Sequence, residues 1–305
     1  MLAIQAVRAG GPEVLEAADL PLPAPGPGQD RSGLYPMKMP AVLGLEAAGV
    51  VEALGEGVTR FRTGDRIAYN GTPGAYAQAA VVPADRAVRV PDGVSLETAA
   101  AVLLKGMTAE FLVRRCHRVE PGQTVLVHAA AGGVGSILVQ WAKALGATVI
   151  ATVGSEAKAA LARDHGADHV ILYGQEDVAA RVAEITGGQG VAVVYDGVGK
   201  DTFEASLKSL GRRGVLATFG NASGPAPAIA PLELGAKSLF LTRPRLFDYI
   251  ATTAELDESA AALFAVLTSG AVKIEIGQTF PLAQARAAHE ALEGRRTTGA
   301  TLLIP

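Results

Sequence analysis

Residues 124–146 read TVLVHAAAGGVGSILVQWAKALG. An apolar run typical of a buried strand is followed by a glycine-rich loop and then by a pattern typical of a helix. The loop contains Ala130, Gly132 and Gly135, which give Ala-x-Gly-x-x-Gly instead of the Gly-x-Gly-x-x-Gly of dinucleotide-binding loops. The first position serves only the turn, so the order strand–loop–helix still predicts a pyrophosphate site, and a tight turn without a ligand is the alternative. Gly132 is expected to let the backbone approach the pyrophosphate, and Gly133 and Val134 are the residues expected nearest the phosphates.

Apolar runs and helical patterns alternate on both sides of this stretch, from residue 104 to residue 243. Six short apolar strands joined by helices indicate a parallel sheet that is covered on both faces. The right-handedness of such crossovers favours a doubly wound α/β fold, with its binding crevice at the carboxyl ends of the strands. The predicted strands are 124–129, 147–153, 169–173, 191–196, 214–220 and 238–243.

The first hundred residues have a different character, being rich in glycine and proline with short alternating runs such as 49–54 and 77–83. This composition predicts a compact β-rich domain. The carboxyl-terminal segment returns to a helix around 282–294 and a strand-like end, which we expect to rejoin that domain. We therefore predict one domain from 1–103 with 244–305, and a second from 104–243.

Composition excludes several classes of function. The chain has 305 residues, 19% of them charged, a net charge of −3 and a pI near 6.0. This balance gives no basic footprint, so we expect neither nucleic-acid nor membrane-surface binding. The longest uncharged run, Gln123–Ala142, is interrupted by glycines, and the first residues lack the pattern of a signal peptide. The single cysteine, Cys116, excludes internal disulfides and favours a cytoplasmic setting.

The choice of nucleotide depends on the end of the second strand of the doubly wound domain. NAD sites place an Asp or Glu there for the ribose hydroxyls, whereas a 2′-phosphate needs donors and positive charge. Gly154 and Ser155 occupy that position here, and Lys158 follows within reach. These residues predict NADPH, although Glu156 argues for NADH, and Lys158 read alone is equally compatible with a solvated helix lysine.

The sequence does not predict a metal site. The five histidines and the one cysteine show no ligand spacing, and His128 at the end of the first strand is better explained as a packed polar residue. There is also no Ser/His/Asp arrangement, so a metal-free hydride transfer remains. The histidines are His117, His128, His165, His169 and His289.

Motifs spread along the chain resemble those of the zinc-free, zeta-crystallin-like quinone oxidoreductases of the medium-chain dehydrogenase/reductase superfamily. Where the zinc alcohol dehydrogenases have Gly-His-Glu, this chain has Gly44-Leu45-Glu46. The segments that carry the resemblance include GGPEVL (10–15), RSGLYP (31–36), GLEAAGVV (44–51), KGMTA (105–109), HAAAGGVG (128–135), TVGSEAK (152–158), VVYDGVG (193–199) and FGNASG (219–224).

The resemblance implies a Rossmann domain, a GroES-like catalytic domain and hydride transfer from NADPH to a quinone or similar α,β-unsaturated carbonyl. It assigns Gly154, Ser155 and Lys158 to the 2′-phosphate side, and Tyr173 to the adenine side. Tyr35 is the candidate for donating a proton to the substrate or positioning it. The remaining cofactor neighbours that it implies are Thr108, Gly133, Val134, Phe219, Phe240, Thr242 and Arg295.

One departure from the family is the junction of Asp30 and Arg31, where a strand and turn of the GroES-like domain are missing. Three explanations are open: the segment exists in the protein but not in this sequence, the deletion is natural and repacked, or the chain binds NADPH without efficient catalysis. A sensor or partner-binding role is thus one alternative function, and an enoyl-thioester reductase is another. We also expect a homodimer that forms through the apolar edge strand at 238–243.

Overall fold

The computed structural model describes residues 1–8, 10–20, 40–294 and 296–305. These residues form two compact units. The first unit comprises Met1–Leu104, Ile250–Thr268 and Ile274–Pro305, and the second comprises Lys105–Tyr249 and Ser269–Lys273. The domain boundaries given above stay predictions, and the junction at Asp30 lies outside the described residues.

Strands and helices follow one another along the described residues. The strands are β1 (Leu2–Ala6), β2 (Leu15–Asp19), β3 (Ala41–Val42), β4 (Glu46–Val50), β5 (Arg66–Asn70), β6 (Ala87–Arg89), β7 (Thr124–Val127), β8 (Thr148–Val153), β9 (His169–Leu172), β10 (Val191–Asp196), β11 (Leu210–Thr218), β12 (Phe240–Thr242), β13 (Ile276–Pro281) and β14 (Ala300–Ile304). The helices are α1 (Leu96–Phe111), α2 (Gly133–Ala144), α3 (Glu156–Asp164), α4 (Val178–Ile185), α5 (Phe203–Ser209), α6 (Pro231–Leu234), α7 (Leu246–Tyr249), α8 (Thr253–Thr268) and α9 (Ala285–Glu293).

The second unit contains a six-stranded parallel sheet in the order β12-β11-β10-β7-β8-β9. Chain order reverses between β7 and β10, which is the switch point at which doubly wound sheets bind nucleotides. The predicted doubly wound fold is therefore confirmed, and all six predicted strands are present with ends shifted by a few residues.

Continuous apolar runs explain why these segments form the centre of a sheet. Val125, Leu126 and Val127 of β7 are all fully buried, as expected for a strand covered by helices on both faces. On one face, Leu126 belongs to a cluster with Ile150, Ile171 and other apolar residues from α4 and α5. Each fully buried Leu or Ile side chain contributes about 1.5–3 kcal/mol, so this cluster makes a substantial contribution to the stability of the unit.

The first unit is built from small sheets. β1 pairs antiparallel with β2 and β3, β4–β6 form an antiparallel sheet, and β13 pairs in parallel with β14. The prediction of a strand at 77–83 is wrong, because only a single bridge between Ala3 and Ala77 forms there. Val81 is 44% exposed and Pro83 has no amide hydrogen to donate, so the segment does not enter a ladder.

A close backbone approach fixes the start of α2 against the end of β7. A Cβ placed on Gly135 would overlap the carbonyl oxygen of Ala129 and lie 2.9 Å from the Cα of Ala130. These neighbours are backbone atoms, which cannot move aside as a flexible side chain can. Glycine is therefore required at this position by packing alone.

We expect Gly135→Ala to lower the free energy of unfolding by about 1–3 kcal/mol, because the loop must shift to accommodate the methyl group. The matched control is Gly174→Ala, since a Cβ at Gly174 has no neighbour within 4 Å and should change stability by less than about 0.5 kcal/mol. Urea denaturation of both variants measures the difference. Equal stability of Gly135→Ala and the wild-type chain would contradict the packing argument.

Candidate cofactor site

The glycine-rich loop is tied to both strands that flank β7. The amide of His128 donates to the carbonyl of Tyr195 in β10 (3.0 Å), and the amide of Ala130 donates to the carbonyl of Thr152 in β8 (3.1 Å). Between them Ala129 adopts the left-handed conformation with φ 50°, whereas Ala130 does not. An alanine is therefore compatible with the first position of the fingerprint.

The start of α2 is open to an anion. Gly132 is the N-cap in an extended conformation, and within the described part of the chain its position has no side-chain cap. Gly132 and Gly133 are exposed, and Val134 is half-buried. The first-turn amides and the positive end of the helix dipole favour negative charge at this point.

A buried network of polar side chains lies directly beneath this loop. The ring of His128 contacts the hydroxyl of Thr152 through Nδ1 (2.9 Å) and the hydroxyl of Ser206 through Nε2 (3.0 Å). Ser206 in turn donates to Asp196 (2.8 Å), whose carboxylate also accepts from the Thr202 hydroxyl. The network therefore joins the carboxyl ends of β7, β8 and β10 to α5.

Hydrogen bonding defines the state of the His128 ring. Ser206 donates a hydrogen bond to Asp196 and therefore accepts one from His128. Nε2 of the ring thus carries the hydrogen, and Nδ1 accepts a hydrogen bond from the Thr152 hydroxyl. Burial lowers the pKa of His128, and the nearby Asp196 carboxylate opposes that shift without cancelling it. The imidazole is thus neutral in the folded chain at neutral pH. This agrees with the expectation of a packed polar residue.

The residues predicted to select the nucleotide lie together after β8. Ser155 is the N-cap of α3 and accepts from the Lys158 amide (3.4 Å), and the Lys158 side chain is exposed. Tyr173, which follows β9 and is 56% exposed, lies so close to Gly154 that a Cβ there would overlap its hydroxyl. A bare glycine, two hydroxyls and an ammonium group therefore surround this strand end.

These residues fit a dinucleotide with a 2′-phosphate. The exposed amides at the start of α2 suit a pyrophosphate, and the donors after β8 suit a phosphate monoester better than a ribose diol. Glu156 is exposed in the first turn of α3, where it faces the positive end of that helix dipole. Its charge is thereby accounted for without a ribose.

The residues predicted for the nicotinamide side are placed differently from one another. Thr108 is half-buried in α1, and the ring of Phe219 lies against Gly197, 3.1 Å from the position of a Cβ. Thr242 pairs with Ala217 near the carboxyl end of its strand, whereas Phe240 lies at the amino end of β12 and is 60% exposed. Tyr35 and Arg295 lie outside the described residues.

Within the part of the chain that the structure describes, no group of three or more His, Cys, Asp or Glu side chains could hold a metal ion. No helix in the same residues is long and apolar enough to cross a bilayer.

Sequence reasoning missed the partners of His128. Asp196 carried a usable signal, because an Asp that ends a buried strand before Gly-Val-Gly is conspicuous in VVYDGVG. Ser206 and Thr152 carried none, since a serine in a helix and a threonine in a strand are ordinary at those positions. Their contact with His128 follows only from the way α5 and β8 pack.

An open glycine loop at the switch point of a doubly wound sheet defines a Rossmann-type dinucleotide-binding fold. Comparison with known proteins agrees with this class. The profile of the zinc-binding dehydrogenase family matches residues 133–265, and the profile of the alcohol dehydrogenase GroES-like domain matches residues 27–92.

Individual proteins match over almost the whole chain. A quinone oxidoreductase of Pseudomonas aeruginosa is 48% identical, covering 99% of each chain, and a 2-haloacrylate reductase of a Burkholderia species is 43% identical, covering 98% of this chain and 97% of its own. The crystal structure of Escherichia coli quinone oxidoreductase complexed with NADPH superposes with a TM-score of 0.94 at 44% identity, covering 100% of both chains. The chain belongs to the quinone oxidoreductase family of the medium-chain dehydrogenase/reductase superfamily.

The alignment to the Pseudomonas protein contains positions that this chain does not fill. It extends over 321 positions, whereas this chain has 305 residues, so at least sixteen aligned positions have no residue from this chain.

The state of His128 predicts a pH dependence of stability. In an unfolded chain the pKa of histidine is about 6.5, and burial places the folded value below it, so the unfolded chain takes up a proton first as the pH falls. The stabilisation given by the neutral ring is therefore complete above pH ~6.5 and is lost as the pH falls from there toward the folded pKa.

His128→Gln tests this prediction because it keeps a donor toward Ser206 but cannot titrate. We expect it to be less stable than the wild-type chain by about 1–3 kcal/mol at about pH 7.5, since the bond with Thr152 is lost. The difference in the free energy of unfolding between the two proteins should be smaller at about pH 5.5, because only the wild-type chain loses stability there through His128. Urea denaturation at both pH values measures this difference. His117, whose pKa is also lowered by burial, is present in both proteins and cancels in the comparison. A gap that does not change with pH would contradict the prediction.

Proposed function

We propose that this chain transfers a hydride from NADPH to a quinone or a similar α,β-unsaturated carbonyl compound, without a catalytic metal. The observation that carries the proposal is the donor set at the end of β8, where Ser155 and Lys158 stand in place of an acid. The names of its relatives support the same activity, since they include quinone oxidoreductases and an NADPH complex.

The residues of the nucleotide half bind and orient the cofactor, which when bound supplies the hydride. Amides of Gly133 and Val134 donate to the pyrophosphate at the start of α2. The Ser155 hydroxyl and the Lys158 ammonium bind the 2′-phosphate, and Tyr173 packs against the adenine. Gly132 and Gly154 leave room for the backbone to approach.

On the nicotinamide side, Thr108, Phe219 and Thr242 orient the reactive ring and exclude water from it. Tyr35 and Arg295, which lie outside the described residues, complete the proposed set as the substrate-side and cofactor-side groups of the family. Leu45 occupies the position at which zinc alcohol dehydrogenases have a histidine, and a leucine side chain cannot bind zinc. We therefore propose that the substrate's carbonyl group is reduced without a metal.

A second class of acceptor is favoured by one relative. The 2-haloacrylate reductase is 43% identical over 98% of this chain, and its name describes reduction of an electron-poor alkene. Such an alkene accepts a hydride at carbon in the same way as an enone. We therefore include α,β-unsaturated carboxylates among the proposed substrates.

The nucleotide choice is tested with Lys158→Met. Loss of one charged contact to the 2′-phosphate should raise KM for NADPH about 10- to 100-fold and leave KM for NADH nearly unchanged. Steady-state kinetics with 1,4-benzoquinone as acceptor measures both constants. Lys208→Met is the matched control, because Lys208 is exposed on α5 and pairs with Glu204 (2.7 Å) away from the site.

The proposed reaction itself fails if the wild-type chain oxidises NADPH with no member of a panel of quinones, enones and 2-haloacrylates. Binding of NADPH without turnover would instead support the alternative of a sensor. Equal effects of Lys158→Met on NADPH and NADH would place this lysine away from the 2′-phosphate.

We also infer that the chain forms a homodimer through the outer edge of the six-stranded sheet. β12 is the last strand in the order and pairs only with β11 among the described strands. Phe240 on this strand and Leu232 on α6 are 60% and 88% exposed, which is unusual for apolar side chains of this size. Pairing with the same strand of a second copy would cover the unpaired backbone and Phe240. We therefore propose Phe240 for this interface in place of the nicotinamide contact expected from the sequence, because it lies at the amino end of β12.

Phe240→Asp is expected to convert the dimer to a monomer, because a carboxylate would be buried against its own copy across the two-fold axis. Light scattering after size exclusion measures the mass. Leu292→Asp on α9 is the control, since Leu292 is 54% exposed in the first unit and should leave the dimer intact. A wild-type chain that is monomeric at micromolar concentration would disprove the interface.

A cytoplasmic location is proposed on the basis of the cysteine content. Cys116 is the one cysteine of the chain and is partly buried as a free thiol. A reducing compartment suits a protein without disulfide bonds.

A further inference from the structure

The side chain of Lys105 lies across the first turn of α2. A Cβ placed on Gly133 would be 2.8 Å from Cδ of Lys105 and 3.1 Å from its Cε. The aliphatic part of the lysine therefore packs on the bare face of this glycine. Its ammonium nitrogen is one bond of about 1.5 Å beyond Cε and is held beside the start of the helix.

This position is electrostatically unusual for a cation. The amino end of a helix carries a partial positive charge, so cations are favoured at the opposite end and anions at this one. Gly132 and Gly133 are exposed, and Lys105 itself is half-buried. An anion bound at this helix end would be within reach of both the first-turn amides and the ammonium group of Lys105.

Lys105 also lies on the same face of its helix as Thr108, a residue proposed to contact the cofactor. Lys105 and Thr108 are three residues apart in α1, so their side chains share one face of that helix. Thr108 is one of the residues proposed above to flank the nicotinamide half of the cofactor. A lysine one turn before it, over Gly133, lies on the pyrophosphate side of that residue.

We propose that Lys105 is a further cofactor-binding residue, whose ammonium group neutralises the pyrophosphate of the bound dinucleotide. The inference rests on the proposed function, because it needs a dinucleotide at the start of α2. Its role differs from that of Lys158, since the pyrophosphate is common to NADPH and NADH whereas the 2′-phosphate is not. Gly133 then has two functions: it exposes its amide to the phosphate and leaves room for the lysine stem.

The test is a titration of NADPH and of NADH, followed by quenching of protein fluorescence, with four proteins: wild type, Lys105→Met, Lys105→Arg and Lys158→Met. Lys105→Met keeps the length of the stem and removes the charge. We expect it to weaken both nucleotides by the same factor, about tenfold or more, and to reduce the dependence of Kd on salt concentration. Lys105→Arg should recover most of the affinity, and Lys158→Met should weaken NADPH alone.

Several outcomes would overturn the inference. Unchanged affinities of Lys105→Met for both nucleotides would show that the ammonium group does not contact the cofactor. A loss of affinity confined to NADPH would show that it contacts the 2′-phosphate instead of the pyrophosphate. An arginine variant as weak as the methionine variant would show that the stem packs but the charge does not bind. Unchanged Kd values with a raised KM for the quinone would make Lys105 a substrate residue instead.

The design separates this inference from the proposed function. A wild-type chain that binds neither nucleotide would contradict both. A wild-type chain that binds NADPH and reduces quinones, with Lys105→Met behaving identically, would contradict only the role of Lys105. Lys105→Gln provides a second neutral variant if the methionine protein is unstable, and Lys208→Met again controls for the loss of a surface charge.

Discussion

The bond between His128 and Ser206 is the interaction on which the nucleotide-binding end of the sheet depends. It connects the loop after β7 to α5, and Ser206 accepts it while its own hydroxyl donates a hydrogen bond to Asp196. All three side chains are at most 2% exposed, so each must find its partner inside the protein. Every member of the chain of bonds therefore fixes the orientation of the next.

The Asp196 carboxylate extends this control to the neighbouring loop. Its Oδ1 accepts from the amides of Val198 (2.8 Å) and Gly199 (3.0 Å), and both oxygens accept from the Thr202 hydroxyl. The turn after β10 is thus shaped by the same carboxylate that orients His128 through Ser206. The two loops that flank the switch point are held by one network, and a ligand bound there meets a preorganised surface.

The strands of the doubly wound sheet could be predicted because their burial on both faces leaves a continuous apolar signature, as in TVLV and VAVVY. α1 was not predicted, because most of its residues are buried, including Ala99, Val102 and Met107, and a helix that is apolar nearly all round shows no stripe. α8 did carry the spacing of a helix in Leu256, Ala260, Leu263 and Phe264, but alanines on its other face obscured the pattern.

Some residues of the candidate site are neighbours in the sequence, whereas others meet only in the folded chain. The hydroxyl and ammonium groups after β8 are close together in sequence, so Ser155 and Lys158 could be proposed from their position alone. The partner of His128, by contrast, is Ser206, 78 residues away, and no local pattern announces it. Lys105 and Gly133 also meet only in the fold, because the contact depends on how α1 passes the start of α2.

The left-handed residue of the loop is Ala129, one position before the alanine that replaces the first glycine of the fingerprint. The positive φ that glycine adopts most easily is carried here by an alanine, whose side chain is small enough to tolerate it. Relatives of this chain could therefore differ in the number of glycines while keeping the same loop shape. Recognition of such sites from sequence would improve if a pattern scored the strand before the loop and the close-packed glycine at its end above the glycine at its beginning.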